Sequence, residues 1–118
     1  MKNIILNISI MLIFSLIQTT LFAQGKMKTD TVTIDGNCGQ CKTRIEEASY
    51  IKGVKQVEWN KKTKVLTVTY NSEKTTLDQI ELAIAKAGHD SKEHKSTDKD
   101  YKKLPSCCAY RTGTCDHD

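Results

Sequence analysis

The chain has 118 residues, 18 Lys and Arg against 14 Asp and Glu, and a formal charge of +4. That length allows one domain and excludes large two-domain enzymes and repeat arrays. The arginines, Arg44 and Arg111, form no basic block, which argues against a nucleic-acid partner. Five cysteines are many for so short a chain, and an odd number cannot close into intramolecular disulfides alone.

Residues 1–23 differ in composition from the rest of the chain. Lys2 supplies a short positive segment, Ile4 to Ile17 is dominated by Ile, Leu, Met and Phe, and Leu21-Phe22-Ala23 places a small residue at the expected cleavage position. This is the layout of a secretory signal peptide. Asn7, Ser9, Ser15, Gln18, Thr19 and Thr20 interrupt the apolar run, leaving its centre short for a span of roughly 20 residues, so cleavage is expected rather than anchoring. The expected location is therefore periplasmic or secreted, an oxidising compartment.

Lys28 to Ile34 alternates and reads as a strand, which Asp35-Gly36-Asn37 breaks. From Gly39, the residues Cys41, Ile45, Ala48 and Ile51 recur at helical intervals, and Gly53 is expected to end that helix. Val54–Trp59 and Lys64–Tyr70 are β-rich and joined by Asn60-Lys-Lys-Thr63, the pattern of a hairpin. Thr76 opens a second helix with Gln79 three residues on, Leu77, Ile80, Ala83, Ile84 and Ala87 form its apolar stripe, and Gly88 ends it. A short strand is expected around His89–His94. The order β-α-β-β-α-β is the ferredoxin-like α+β unit, a four-stranded antiparallel sheet with both helices on one face. Its expected core includes Val32, Ile34, Ile45, Val57, Val65, Val68, Ile80 and Ile84. Tyr50, Trp59 and Tyr70 are read as strand and edge aromatics without a functional role.

Residues 96–118 form a polar, Cys-containing tail, with a helical turn expected to begin at Thr97. The chemistry concentrates in Cys38-Gly39-Gln40-Cys41. The i, i+3 spacing sets two sulfurs on one side of a turn, and the start of a helix favours the thiolate of Cys41. Two thiolates suit Cu(I) and other soft ions and suit Mg or Ca poorly. Cys107 and Cys108 are adjacent, so each seeks a partner elsewhere. The chain from His94 to Cys107 could extend about 40 Å, enough to fold back along the domain. Three readings stand: a four-thiol site of Cys38, Cys41, Cys107 and Cys108 suited to tetrahedral Zn, a disulfide staple holding the tail, or free thiols. Cys115 and His117 at the end read either as a loose metal-capturing tail or as a frayed terminus. Lys42 reads as a surface charge or as a counter-charge to a dithiolate centre.

Ile34-Asp-Gly-Asn-Cys-Gly-Gln-Cys41, Gly53-Val54, Lys64–Tyr70 and Ala87-Gly88-His89, in this order, resemble the heavy-metal-associated domain across residues 28–95. That family includes periplasmic mercury-binding proteins, copper chaperones and the N-terminal modules of metal-exporting ATPases. The resemblance implies that Cys38 and Cys41 are metal ligands, and it places His89 beside the metal loop, where some copper chaperones carry a ligating His. The family's usual Gly-Met-x-Cys is one residue shorter here and lacks the Met. The implied function is binding of Cu(I) or Hg(II), with Zn if the tail cysteines take part, for transfer to a membrane transporter or metal-exporting ATPase or for sequestration. The chain would act as a monomer or a metal-bridged dimer and not as an enzyme. The rival is a thiol–disulfide oxidoreductase using the same CxxC. Against it, the element order is not that of thioredoxin and Pro105 lies far from the dithiol. A domain stapled only by disulfides is a third class, and it leaves Cys115 unexplained.

Overall fold

The computed structural model describes residues 26–113 together with Met1 and Ile4. The expected leader, apart from those two residues, lies outside the described residues, as do Cys115 and His117. Among the described residues no helix is long and apolar enough to cross a membrane. The elements are β1 (Met27–Thr33), α1 (Gly39–Ser49), β2 (Val54–Trp59), β3 (Val65–Asn71), α2 (Leu77–Lys86) and α3 (Asp98–Tyr101), followed by a 3-10 turn at Ser106–Cys108.

The three strands form an antiparallel sheet in the order β1-β3-β2, with Val32 opposite Leu66 and Val57 opposite Val68. The expected β2–β3 hairpin is present. Its turn is organised by Asn60, whose side-chain oxygen accepts the N–H groups of Lys62 (2.8 Å) and Thr63 (3.0 Å).

The fourth strand expected around His89–His94 is not formed. A single bridge joins Ile34 to Ser91, and the Asp35 N–H donates to the Asp90 carbonyl at 2.8 Å. The chain then turns on itself. The Ser91 N–H bonds the His94 carbonyl (2.8 Å), and the Asp90 carboxylate takes the Ser96 N–H (2.7 Å). Groups that would have extended the ladder are used within this turn, so the sheet stays at three strands.

α1 also ends sooner than expected, with Tyr50 as its C-cap. Gly53, at φ +100°, serves the turn into β2 instead. α2 agrees with its sequence pattern: the Thr76 hydroxyl accepts the Gln79 N–H at 3.2 Å, and Gly88 leaves the helix at φ +107°. α3 likewise opens on Thr97, whose hydroxyl accepts the Asp100 N–H at 3.1 Å.

One face of the sheet is covered. Leu66, Val68 and Tyr70 of β3 meet Val57 and Trp59 of β2, Ile45 of α1, and Ile80 and Ile84 of α2 in a single buried cluster. Val65, expected in this core, is only half-buried, because the period-two alternation of β3 places Leu66 and Val68 inward. Burial of each such aliphatic side chain stabilises the fold by about 1.5–3 kcal/mol. Cys38, Cys41 and Cys108 belong to the same cluster. The tail is therefore not an appendage, since its Cys108 is fully buried in the domain core.

Candidate metal centre

The loop from Asp35 to Cys38 is set between the sheet and the start of α1. The Trp59 indole, 1% exposed, donates through Nε1 to the Ile34 carbonyl at 3.1 Å. A Cβ on Gly36 would stand 3.0 Å from the Cys41 Cβ and 3.1 Å from the Trp59 ring. A side chain there would require Cys41 or Trp59 to give way by a few tenths of an ångström. Trp59 thus supports the loop from beneath, a role that sequence spacing alone does not reveal. α1 is clamped to the end of β2 as well: Lys42 Nζ donates to the Trp59 carbonyl (2.8 Å), and Glu46 accepts the Trp59 N–H (2.9 Å). Lys42 also pairs with Glu46, so this cation is engaged with the helix and β2.

Cys38 is the N-cap of α1, its sulfur accepting the Cys41 N–H at 3.4 Å. The Cys41 sulfur accepts the Asn37 N–H at 3.4 Å and lies 3.4 Å from the Asn37 side-chain oxygen. Cys38 Sγ is 3.3 Å from Cys41 Sγ and 3.3 Å from Cys108 Sγ. The sulfurs of Cys38, Cys41 and Cys108 all lie within 4.8 Å of one another, a group able to hold a metal ion. Burial pushes the Cys38 thiol up, but the N–H of Cys41 and the surrounding thiols outweigh it and bring it down to about 7. Burial raises the thiols of Cys41 and Cys108.

Cys108 arrives from the far end of the chain, along a strap of residues 97–113 that is locked over the end of α2. Arg111 grips the buried Asp90 carboxylate with two hydrogen bonds (Nε to Oδ2 3.0 Å, NH2 to Oδ1 2.8 Å) and donates to the Ser96 carbonyl at 2.7 Å. Burial opposes ionisation of Asp90, but Arg111 and the Ser96 N–H hold it below the usual carboxylate range. The Tyr110 hydroxyl donates to the Gly88 carbonyl (2.7 Å) and accepts the Asp90 N–H (3.0 Å). A Cβ on Gly88 would stand 2.9 Å from Leu104, so glycine there also serves strap packing.

Of the other expected ligands, Cys107 Sγ lies 3.6 Å from Cys38 Sγ, is half-buried and donates to the Gln40 side-chain oxygen at 3.3 Å. It stands at the edge of the sulfur group and not within the three-sulfur set. His89 is not part of that set either. Its buried ring donates from Nδ1 to the Asp35 carbonyl (2.8 Å) and stacks on Tyr110 at 5.5 Å. It ties the metal loop to the strap.

A small ferredoxin-like domain with a buried CxxC at the start of its first helix presents a donor set that suits soft metal ions. The model of the heavy-metal-associated domain matches residues 31–90, and the chain belongs to that family. Solved structures agree. One is "CopZ metallochaperone" (29% identity, TM-score 0.52, covering 54% of this chain and 98% of that one). Another is the putative copper-ion-binding protein from Bacillus anthracis (30%, TM-score 0.55, 58% and 100%). A third is a copper form of a CopA variant from Bacillus subtilis (26%, TM-score 0.50, 57% and 91%). No curated protein matches the chain. The family match ends at residue 90, so the strap with Cys107, Cys108, Tyr110 and Arg111 lies beyond it.

Proposed function

We propose that this chain is an exported protein that captures a soft metal ion, Cu(I) or Hg(II), through Cys38 and Cys41, and passes it to a membrane metal transporter or sequesters it. The observation that carries this reading is the pair of buried sulfurs 3.3 Å apart at the start of α1. Sulfur donors select soft ions, and the loop is pre-formed by Trp59 and Gly36, so little ordering opposes binding. The names of the similar structures support copper as cargo, and a membrane transporter as recipient rests on the family resemblance. Export rests on the composition of residues 1–23.

The test is a titration of the reduced full chain with Cu(I) against a competing chelator. One ion per chain is expected, and Cys38→Ser or Cys41→Ser is expected to weaken binding by about 100-fold or more. Affinity unchanged in both variants would defeat the proposal. Catalytic reduction of insulin disulfides would transfer the CxxC to redox chemistry instead.

A further inference from the structure

We infer that Cys108 is a built-in third ligand, and that it tunes the site toward divalent thiophilic ions of the Cd(II) and Hg(II) class over Cu(I). The inference rests on the metal-binding role of Cys38 and Cys41 and adds to it.

Geometry comes first. A triangle of sulfurs around an ion with bonds of about 2.3 Å has edges of about 4 Å. Cys38 stands 3.3 Å from both Cys41 and Cys108, and the third edge lies within 4.8 Å. Spreading the two short edges by about 0.7 Å for a zinc-sized ion, and by somewhat more for the larger Cd(II), therefore opens a three-coordinate site. Cys108 is fully buried against the other two and is held there by the Arg111–Asp90 and Tyr110–Gly88 bonds. Its sulfur stands beside the CxxC, where it can bind without an incoming protein.

Charge then decides which ion fits. Each thiol binds as thiolate and releases its proton to water. Two thiolates on Cu(I) leave one net negative charge, and three thiolates on a divalent ion leave the same. Three thiolates on Cu(I) leave two, inside a buried cluster. Among the described residues, the groups that hydrogen-bond these sulfurs are other thiols, the N–H groups of Asn37 and Cys41, and the amide oxygen of Asn37, all neutral. Lys42 is turned to Trp59 and Glu46. A second uncompensated buried charge is costly, so the third sulfur helps a divalent ion far more than a monovalent one.

The experiment uses the reduced full chain and its Cys108→Ser variant, each titrated separately with Cd(II) and with Cu(I) against chelators. Loss of Cys108 is expected to weaken Cd(II) by about 100-fold or more and Cu(I) by less than about tenfold. X-ray absorption on the wild-type Cd(II) complex is expected to count at least three sulfurs, a reading that does not depend on how the variant folds. Two sulfurs around Cd(II), or a Cu(I) loss equal to the Cd(II) loss, would overturn the inference while leaving Cys38 and Cys41 as ligands. Failure of the wild-type chain to bind either ion would instead defeat the proposed function itself.

Discussion

The metal loop and the strap reach the same cluster of sulfurs by different physical routes. The loop, residues 35–41, is held from beneath by Trp59 and glycine packing and by the cap of α1, all formed within the family domain. The strap, residues 97–113, adds polar ties to its apolar anchors Leu104 and Cys108: Arg111 on Asp90, Tyr110 on Gly88, and the Arg111 guanidinium 4.4 Å over the Tyr101 ring. All three sulfurs are buried in one cluster, but Cys38 and Cys41 are placed by the family domain itself and Cys108 by a segment that lies beyond the family match and is latched to it. Damage to the loop should remove binding, and damage to the latch should change its character.

The largest effect is expected from Cys41→Ser, which removes a fully buried sulfur and should abolish tight Cu(I) binding in a chelator competition while the far-UV circular dichroism stays native. Next is Arg111→Ala. It strands the buried Asp90 carboxylate, so the strap should loosen at a cost of about 3 kcal/mol. The readout is alkylation of Cys108, expected to speed up by about tenfold or more, while Cys41 keeps its native rate. Equal acceleration at both cysteines would show that loop and strap are one cooperative unit.

A smaller effect concerns pH. Burial holds the His89 imidazole below its ordinary range, against the hydrogen bond to Asp35 that raises it. The unfolded chain takes up a proton near pH 6.5 that the folded chain refuses. This group's share of stability is therefore complete above about pH 6.5 and is lost as the pH falls below it. Urea midpoints at about pH 7.5 and about pH 5.5 should show a fall, and His89→Gln should reduce it, leaving the part that comes from the lowered Cys38 thiol. The smallest single interaction is the Trp59 bond to the Ile34 carbonyl, about 1 kcal/mol in thermal unfolding. Trp59→Phe removes it together with the Cζ2 and Cη2 atoms that face Gly36, so its total cost should exceed that of the bond alone.

The fold is largely legible in the sequence because its signals are local. Thr76 with Gln79, Gly88, and the Asn60 turn each act within a few residues, and all three appear where the pattern places them. The fourth strand is misread because Asp90 and Ser91 carry no local sign that their polar groups serve Ser96, His94 and Arg111. The CxxC is legible through its spacing. Trp59 as the floor of the loop is not, since a strand aromatic looks the same whether or not a glycine loop rests on it. The reach of Cys108 to the site can be framed from chain length, but Tyr110 and Arg111, which bring it there, are ordinary tail residues until their partners are seen.

The most direct test of the convergence of loop and strap is alkylation mapping of the reduced full chain by mass spectrometry, with and without one equivalent of Cd(II). The structure predicts that the ion slows labelling of Cys38, Cys41 and Cys108 together, while the half-buried Cys107 stays reactive. Protection confined to Cys38 and Cys41, with Cys108 labelled at its metal-free rate, would contradict a site shared between the two regions.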